Sequence, residues 1–323
     1  MPSPGISEVV TSTLQQFSGE LADNVTKSNV LLYRLSQKDN IVKRDGGDFI
    51  RRELEYSDNG TSQWYSGYET LNVAPQDVFT AADFVWKQAA ASVSMSGLEV
   101  AKNSGRSQII DLTKGRLLNA ERSLKNLVSI AMYADGSGNN GKEIGGLRLL
   151  VADNPTTGTV GGINRANWSF WRNYKFSGVS DGGAAVSSSN IQSYMNRIYI
   201  NTTRGRDQVD LVVADNTYWR FYLESLQSIQ RICDEKMASA GFQNLKYMGA
   251  DVVFDGGADT ICPANHMYFL NTDYIRLEVH KDRYFKPLDG ERFSVNQDAL
   301  VKLVGFMGNI TLSNAKLQGV LIA

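Results

Sequence analysis

One glycine-rich segment has the spacing of a nucleotide-binding loop. Residues 136–142 read Gly-Ser-Gly-Asn-Asn-Gly-Lys, which matches a phosphate loop up to its lysine and also the three-glycine dinucleotide fingerprint. A phosphate loop needs Ser or Thr after the lysine to hold magnesium, whereas Glu143 follows Lys142 here. Both motifs also follow a strand and open a helix, whereas this segment closes a predicted helix. The context indicates a glycine-rich helix stop, and a nucleotide-binding enzyme using Gly136 to Lys142 is kept only as a distant alternative.

The side chains that most often carry catalysis are scarce. The two histidines, His266 in a turn and His280 on the polar face of a strand, offer little to a metal cluster or to a nucleophile and base pair. Cys233 and Cys262 alone cannot form a disulfide framework or a zinc site. We therefore expect no catalytic residue, no metal and no cofactor.

The composition is that of a chain able to bury a sizeable core, as one large domain or two of ordinary size. The 323 residues include 33 basic and 34 acidic side chains, a balance that argues against a dedicated binder of DNA or of anionic membranes. The N-terminus lacks a basic and then apolar signal sequence, and the best late apolar run, 300–306, is short and contains Lys302. These features predict a soluble protein made in the cytoplasm.

The best-defined part of the sequence is an α/β unit over residues 209–279. It begins with an apolar run that predicts a strand, and Asp215 then supplies a helix-capping side chain. An amphipathic helix is predicted up to Gly241, followed by several strands. The strict alternation of 275–280 predicts a half-buried strand with Glu278 on its polar face.

Residues 1–25 predict a single amphipathic helix ahead of any core. Their apolar side chains recur at helical spacing. Such an arm needs a surface to lie against, so we predict that it makes contacts in an assembly. The predicted contacts of this N-terminal arm are Val10, Leu14, Phe17 and Leu21.

Residues 49–71 predict a long two-stranded ribbon. Phe49 to Tyr56 alternates between an apolar and a charged face, Ser57 to Gly60 is a strong hairpin turn, and Gln63 to Leu71 is predicted as the returning strand. A lone ribbon of this length is marginal in water, so we expect it to lie on another subunit, with a ribbon folded over its own domain as the alternative. The predicted inter-subunit contacts are Arg51, Arg52, Glu53, Glu55, Trp64, Tyr65, Tyr68 and Glu69.

The longest helical pattern runs from Ser107 to Ala134, where apolar residues recur seven apart. At 1.5 Å per residue it predicts a rod of roughly 40 Å, suited to be the spine of a flat domain. Residues 135–190 are rich in glycine, serine and asparagine and predict loops and short strands, and 293–322 returns to strand patterns.

Several short segments appear in a characteristic order along nearly the whole chain. They are Asn29-Val30-Leu31-Leu32, Asp45-Gly46-Gly47, Trp64-Tyr65-Ser66-Gly67-Tyr68, Tyr133-Ala134-Asp135-Gly136, Gly145-Gly146-Leu147, Leu211-Val212-Val213-Ala214-Asp215-Asn216, Tyr247-Met248-Gly249-Ala250-Asp251-Val252-Val253 and Tyr268-Phe269-Leu270-Asn271. In this order the chain resembles the major capsid proteins of tailed bacteriophages, whose fold is shared with herpesvirus shells.

The resemblance implies an α+β fold with an N-terminal arm, an extended β-hairpin loop, a peripheral domain with a long spine helix and an axial α/β domain. The implied boundaries are 1–43 for the arm, 44–75 for the loop, 76–186 for the peripheral domain with its spine helix at 107–134, 187–283 for the axial domain, and 284–323 for C-terminal strands returning to the peripheral domain.

The resemblance also implies a structural protein rather than an enzyme. It would self-assemble as pentamers and hexamers into the icosahedral head shell that encloses the double-stranded DNA of a tailed phage, and so lie in the virion after assembly in the bacterial host cytoplasm. The nearest alternative is the shell protein of a bacterial nanocompartment that encloses cargo.

The resemblance implies partners as well. The chain would bind other copies of itself, a portal, a separate scaffolding protein where one is needed and a cementing or decoration protein, with packaged DNA held only non-specifically and no membrane partner. Some members of the family cross-link their shells through a lysine-asparagine isopeptide bond. No lysine occurs between Arg44 and Trp86, so the loop cannot supply that nucleophile and we expect a non-covalent shell.

Overall fold

The chain folds around two β-sheets that are joined by helices and long connections. The computed structural model describes residues 29–102, 112–226, 244–255, 261–288, 292–293 and 298–323. The helices are α1 (Val30–Gln37), α2 (Gly97–Lys102), α3 (Leu112–Ala131), α4 (Gly138–Gly141), α5 (Leu147–Leu150), α6 (Ile191–Asn201) and α7 (Asn216–Ser225), with short 3₁₀ turns at Ser169–Trp171 and Thr272–Tyr274. The strands are β1 (Ile41–Arg44), β2 (Phe49–Glu55), β3 (Phe79–Val85), β4 (Lys87–Ser96), β5 (Thr159–Val160), β6 (Ile163–Asn164), β7 (Tyr174–Ser177), β8 (Leu211–Ala214), β9 (Asn244–Tyr247), β10 (Ala250–Phe254), β11 (His266–Leu270), β12 (Ile275–Pro287), β13 (Arg292–Phe293), β14 (Ala299–Leu312) and β15 (Gly319–Ile322).

The five-stranded sheet carries the long helix. Its order is β1-β12-β14-β13, and β4 pairs antiparallel with β14 along most of its length. Strand β1 runs parallel to β12, with Ile41 opposite Leu277. Helix α3 packs on β4 and β14 and buries Leu124 and Val128 against them.

The six-stranded sheet has the order β7-β15-β11-β8-β10-β9. Strand β8 is buried along its whole length because both faces of this sheet are covered. Leu211 and Val213 face the hydrophobic cluster that also holds α1 and α3, whereas Val212 and Ala214 face a second cluster built from α6 and α7. The uninterrupted apolar run in the sequence follows from this two-sided burial.

The C-terminal strand belongs to the six-stranded sheet. Strand β15 lies between β7 and β11, parallel to the first and antiparallel to the second. The domain boundaries expected from the sequence remain a prediction. Within the described chain, β14 lies in the five-stranded sheet, and β15 lies in the six-stranded sheet together with β7. Pairing between distant segments, which no local pattern encodes, decides this membership.

Side-chain caps begin two of the helices. Asn29 accepts a hydrogen bond from Leu32 N at 2.8 Å, and Asp215 accepts one from Tyr218 N at 2.8 Å. The cap predicted at Asp215 is thus confirmed. Helix α7 ends at Ser225, and the predicted continuation to Gly241 lies outside the described residues.

The spine helix ends three residues before the predicted Ala134, at Ala131. The chain then turns tightly, and Leu147 N donates to Met132 O at 2.7 Å. A Cβ atom on Gly146 would lie 2.3 Å from Ala131 O, so only glycine fits at this close backbone approach. The predicted start at Ser107 lies outside the described residues.

A fully buried arginine holds the loops that follow the spine helix. Arg165 donates to the backbone oxygens of Leu149, Leu150 and Trp171 at 2.9, 2.5 and 3.2 Å. Burial lowers its pKa to about 10, because the charged form is desolvated. The guanidinium therefore satisfies carbonyl groups at the end of α5 that water does not reach.

We expect Arg165→Met to lower the free energy of unfolding by about 3 kcal/mol, because three buried carbonyl groups lose their donor. Urea unfolding of the subunit measures the change. The matched control is Arg206→Met, at an exposed position, where the expected change stays within about 0.5 kcal/mol. Equal effects of the two substitutions would contradict this role for Arg165.

Candidate assembly surface at the extended loop

The extended loop leaves the five-stranded sheet at two glycines. Gly46 and Gly47 follow β1 with φ angles of 135° and 117°, which favour glycine. The Trp86 indole nitrogen donates to Gly47 O at 2.8 Å, and its ring lies edge-on to His280 with the centroids 6.4 Å apart. The two ends of the loop are therefore joined at its base.

A buried carboxylate anchors the loop to the sheet. Glu278 of β12 is 0% exposed and forms an ion pair with Arg44 of β1. Arg52 of β2 lies 3.6 Å from its Oε1 atom, and the Thr311 hydroxyl lies within hydrogen-bond distance at 3.2 Å. The expectation that Glu278 lies on a wet strand face is wrong, because Arg44 and the first strand of the loop cover that face.

The cluster around Glu278 contains more cations than anions. Arg276 precedes it by two residues on the same face of β12. Burial lowers the pKa of Arg52, and the nearby Arg276 guanidinium lowers it further. The Nε atoms of Arg52 and Arg276 are buried without a hydrogen-bond partner. Arg44 and Arg52 therefore share one carboxylate, with the Arg276 guanidinium close enough to affect Arg52.

Strands β2 and β3 form a ribbon with two different faces. Phe49 lies opposite Val85 and Glu55 opposite Phe79. The inner face buries Ile50 and Leu54 of β2 against the subunit's own core. The alternation of apolar and charged residues predicted for β2 is confirmed.

The partner predicted for this strand is wrong. The returning strand is Phe79–Val85, not Gln63 to Leu71. The later segment pairs with β2 because Ala82 and Phe84 are spaced two apart and both become buried. Residues 63–71 offer aromatic but little aliphatic surface. The ribbon thus lies over its own domain as far as Tyr56, which was the alternative expectation, and Tyr56 packs edge-on to Trp168 at 5.5 Å.

Beyond Tyr56 the loop has no support from the rest of the described chain. All hydrogen bonds of residues 57–77 remain within 56–78, and none of these residues joins either hydrophobic cluster. Trp64 and Tyr68 are 102% and 107% exposed. Large aromatic side chains exposed together at one loop tip are typical of interaction surfaces, and the predicted contact of this tip with another subunit remains a prediction.

The predicted contact residues of the loop fall into three environments. Arg51 and Asp83 form a cross-strand pair with two contacts of 2.8 Å on the outer face of the ribbon. Glu53 and Glu55 are exposed on that face. Arg52 instead points into the Glu278 cluster. The exposed tip carries Trp64, Tyr65, Tyr68 and Glu69.

The position of Arg52 on the apolar face of the predicted ribbon is a sequence signal for the Glu278 cluster. Alternation placed Arg52 on the same ribbon face as Ile50 and Leu54, and an arginine among buried apolar side chains requires a buried acid nearby. Which acid this is depends on long-range packing. Local pattern cannot identify Glu278.

The described chain begins where the predicted arm would join the core. Asn29 Nδ2 donates to Ser129 O of the spine helix at 3.1 Å, and Arg34 Nε lies 3.1 Å from Asp210. Lys38 lies 3.1 Å from the same carboxylate. These contacts tie the root of the arm to the spine helix and to Asp210, the residue before β8. The predicted arm contacts Val10, Leu14, Phe17 and Leu21 lie outside the described residues.

Two titratable groups lie at the junction between the sheets. Asp255 accepts hydrogen bonds from the Tyr133 hydroxyl and from Val30 N, yet burial outweighs these bonds and raises its pKa to about 6. Burial opposes protonation of His266, but its hydrogen bonds to Asp153, at 3.1 Å, and to Ala264 O raise its pKa. Folding thus favours the protonated forms of Asp255 and His266.

The glycine-rich segment 136–142 follows a helix and not a strand. Its short turn α4 contains Asn139 and Asn140 in the left-handed region, with φ angles of 50° and 58°. A helix of four residues offers no row of free N–H groups to a phosphate. This geometry confirms the interpretation as a glycine-rich helix stop.

Within the described residues, three other classes of feature are relevant: metal sites, membrane-spanning helices and reactive cysteines. Across them, no group of three or more His, Cys, Asp or Glu side chains is arranged to hold a metal ion. None of the helices described there combines the length and hydrophobicity needed to cross a bilayer. Cys262 is buried, and burial raises its pKa, so it is an unreactive thiol; Cys233 lies outside the described residues.

Solved structures share this architecture. No protein-family model and no curated protein matches the sequence. The match to the capsid asymmetric unit of cyanophage A-1(L) covers 94% of this chain and 95% of that chain, with 16% identity and a TM-score of 0.69. A chain of Mycobacterium phage Bobi gives 97% and 96% coverage, 15% identity and a TM-score of 0.55. The chain has the tailed-phage capsid fold.

The matched structures also include an encapsulin. The match to the holo-SrpI encapsulin complex of Synechococcus elongatus covers 94% of this chain and 91% of that chain, with 8% identity and a TM-score of 0.56. The capsid fold is therefore common to phage heads and to an encapsulin. The α+β fold class expected from the sequence is confirmed.

We expect Glu278→Gln to destabilise the subunit by about 3 kcal/mol, because Arg44 and Arg52 lose their shared counter-charge. Urea unfolding at low and high salt measures this loss, and added salt should recover part of it by screening the guanidinium groups. Glu55→Gln, an exposed position on the same ribbon, is the control. A loss that is equal for both variants would contradict the buried anchor.

We expect the stability of the subunit to fall as the pH rises through about 6. The folded-state pKa of Asp255 exceeds its ordinary value of 3.8, so its contribution is complete below pH 3.8 and is lost as the pH rises through 6. The full change is about 3 kcal/mol at about 1.4 kcal/mol per pKa unit. Urea unfolding at successive pH values measures it.

Asp255→Asn should remove the part of this slope that lies between pH 3.8 and about 6. The slope contributed by His266 has the same sign and should remain, because a raised histidine pKa also favours folding at lower pH. Asp58→Asn, at the exposed loop tip, should leave the profile unchanged. A profile that is flat in the unmodified protein would overturn the assignment.

Proposed function

We propose that this protein is the major capsid protein of a tailed bacteriophage. It self-assembles as pentamers and hexamers into the icosahedral head shell that encloses double-stranded DNA. The observation that carries the proposal is the capsid fold matched along 94% of this chain and 95% of the cyanophage chain. The role is structural and not enzymatic.

The loop supports assembly from identical subunits. Its tip exposes aromatic side chains that its own subunit leaves uncovered, and a symmetric shell offers the same neighbouring surface to every copy. The Asp45 to Val85 stretch contains no lysine, so the shell is held without lysine-asparagine cross-links from this loop. Many contacts of modest strength then hold the particle together.

The remaining roles follow from this function. The protein lies in the virion and is assembled in the host cytoplasm, with a portal and, where needed, separate scaffolding and cementing proteins as partners. Near-neutral charge, 33 basic against 34 acidic residues, suits an inner wall that holds packaged DNA only non-specifically. The predicted arm contacts and domain boundaries belong to this proposal as well.

A nanocompartment shell protein is the second candidate, since the SrpI encapsulin shares the fold. The phage reading is preferred because the cyanophage capsid is more similar, with a TM-score of 0.69 against 0.56. Particles that package a specific cargo enzyme would favour the encapsulin reading.

We expect the purified protein to form closed shells or rings of five and six subunits in electron micrographs. Replacing residues 57–77 with an Asn-Gly turn should abolish or weaken these assemblies while the subunit stays folded, because Tyr56 N already pairs with Val78 O across the new turn. The urea midpoint of the subunit is the folding control. Monomers at high concentration for both proteins would count against a capsid function.

A further inference from the structure

The base of the extended loop brings three guanidinium groups to one face of the five-stranded sheet. Arg276 and Glu278 lie two residues apart on β12, so their side chains share a face and start roughly 7 Å apart. Arg44 reaches Glu278 from β1, and Arg52 approaches it from β2 of the ribbon. The Glu278 cluster therefore joins the ribbon to the sheet through groups of mostly one charge.

Two of these arginines lack hydrogen-bond acceptors. Neither Arg52 nor Arg276 donates a side-chain hydrogen bond to a described residue, and the Nε atom of each is buried. Arg52 Nη1 lies 3.6 Å from Glu278 Oε1, which suits an ion pair but is too long for a hydrogen bond. The Thr311 hydroxyl donates to that same oxygen at 3.2 Å. Buried donors without an acceptor are rare in native proteins, and they indicate that an ion or water completes the site.

The charges of the cluster do not balance. Glu278 is the one carboxylate that pairs with Arg44 and Arg52 in the described chain, and Arg276 forms no ion pair there. A guanidinium stays protonated at neutral pH, so three positive charges face one negative charge. Burial lowers the pKa of Arg52, and the nearby Arg276 guanidinium lowers it further. Water can accept a hydrogen bond from these groups, but it cannot offset the surplus of positive charge.

The cluster is open to water at its edge. The side chain of Arg44 is 38% exposed and Arg276 is partly exposed, whereas that of Arg52 is only 11% exposed. A small ion can therefore enter the cluster while the ribbon stays on the sheet. A nucleic-acid backbone is too bulky to reach Arg52 beneath the ribbon.

We propose that the Glu278 cluster binds a small oxyanion of the phosphate or sulfate class, which accepts hydrogen bonds from Arg52 and Arg276. The planar guanidinium presents pairs of N–H groups that match two oxygens of such an anion. A tetrahedral anion directs its oxygens several ways and so can serve guanidinium groups from two different strands. A doubly charged anion also neutralises the surplus charge of the cluster. The inference goes beyond the proposed function and does not depend on it.

The anion has a structural consequence for the loop. Arg52 belongs to the ribbon and Arg276 to the sheet, so an anion held by both bridges these two parts of the subunit. A ligand that binds only this folded arrangement stabilises it by mass action. The attachment of the ribbon should therefore depend on the anion present.

Urea unfolding of the full-length chain, held below its assembly concentration, tests the binding. Phosphate replaces chloride at constant ionic strength, so screening stays the same throughout the titration. The folding equilibrium constant should rise with saturation, by about elevenfold when phosphate reaches ten times its dissociation constant. Titration calorimetry should give one site per subunit. A linear rise without saturation, which is the general effect of phosphate on proteins, would overturn the proposal.

Substitution of Arg276 tests the position of the site. Arg276→Gln should abolish the saturable response to phosphate, because it removes one guanidinium that binds the anion. In chloride the same variant should be at least as stable as the unmodified protein, because it relieves the surplus of positive charge. Arg206→Gln, at an exposed position, is the matched control and should keep the full response. Equal destabilisation by Arg276→Gln in both salts would indicate a purely structural arginine and contradict the proposal.

A second variant keeps the test decisive if Arg276→Gln fails to fold. Arg276→Lys retains the positive charge but loses the planar pair of donors, so phosphate affinity should fall by about threefold or more. Amide hydrogen exchange of β2 gives an independent readout. Phosphate should slow exchange of the β2 amides in the unmodified protein and leave it unchanged in the Arg276 variants.

The remaining outcomes separate this inference from the capsid function. Equal effects of phosphate, sulfate and chloride at matched ionic strength would show screening alone and overturn the site. A cluster completed instead by a carboxylate of a second copy would give no phosphate response in the unassembled subunit, and this result would equally overturn it. Failure of the unmodified protein to form shells would contradict the capsid function, and it would not alter binding measured on the subunit.

Discussion

The fold of the loop depends on one buried charge. Glu278 lies in the middle of the five-stranded sheet, and it can be there only because Arg44 and Arg52 reach it from the strands on either side of the loop base. An isolated carboxylate in this position would be strongly unfavourable, so the ion pairs fix where the ribbon lies. The packing of Ile50 and Leu54 completes the attachment. The base of the loop is therefore fixed to the sheet, whereas the tip beyond Tyr56 has no support from the rest of the described chain.

A second polar network connects the two sheets through the segment that begins the described chain. Asp210 forms ion pairs with Arg34 and Lys38 and accepts a hydrogen bond from Thr272 N. Asp255 accepts hydrogen bonds from the Tyr133 hydroxyl and from Val30 N. Both carboxylates therefore bind the root of the arm while belonging to the six-stranded sheet or its margin. Charged contacts at this junction respond to pH and salt, whereas the apolar clusters on each side do not. The stability of this junction thus depends on pH and salt, whereas the rest of the subunit is held by hydrophobic packing.

Local patterns in the sequence predicted the elements better than their partners. Alternation identified β2, and the capping side chain of Asp215 identified the start of α7, because both signals lie within a few residues. The order of short segments was sufficient to identify the capsid fold. The partner of β2 and the burial of Glu278 were missed, because each depends on residues far away in the sequence. Which loop and arm residues contact other subunits remains a prediction for the same reason: that contact lies outside the single chain.

The absence of lysine and arginine from residues 53–86 determines how this part of the loop responds to proteases. Trypsin cleaves after lysine and arginine, so it has no cleavage site between Arg52 and Lys87 although the tip is the most exposed part of the described chain. The whole loop would be released as one tryptic peptide, Glu53 to Lys87, and only after its anchored ends open. Proteases that recognise aromatic residues meet Trp64, Tyr65 and Tyr68 at the exposed tip. Resistance to trypsin would therefore report on the folded base, and protection from chymotrypsin would report on whether another molecule covers the tip.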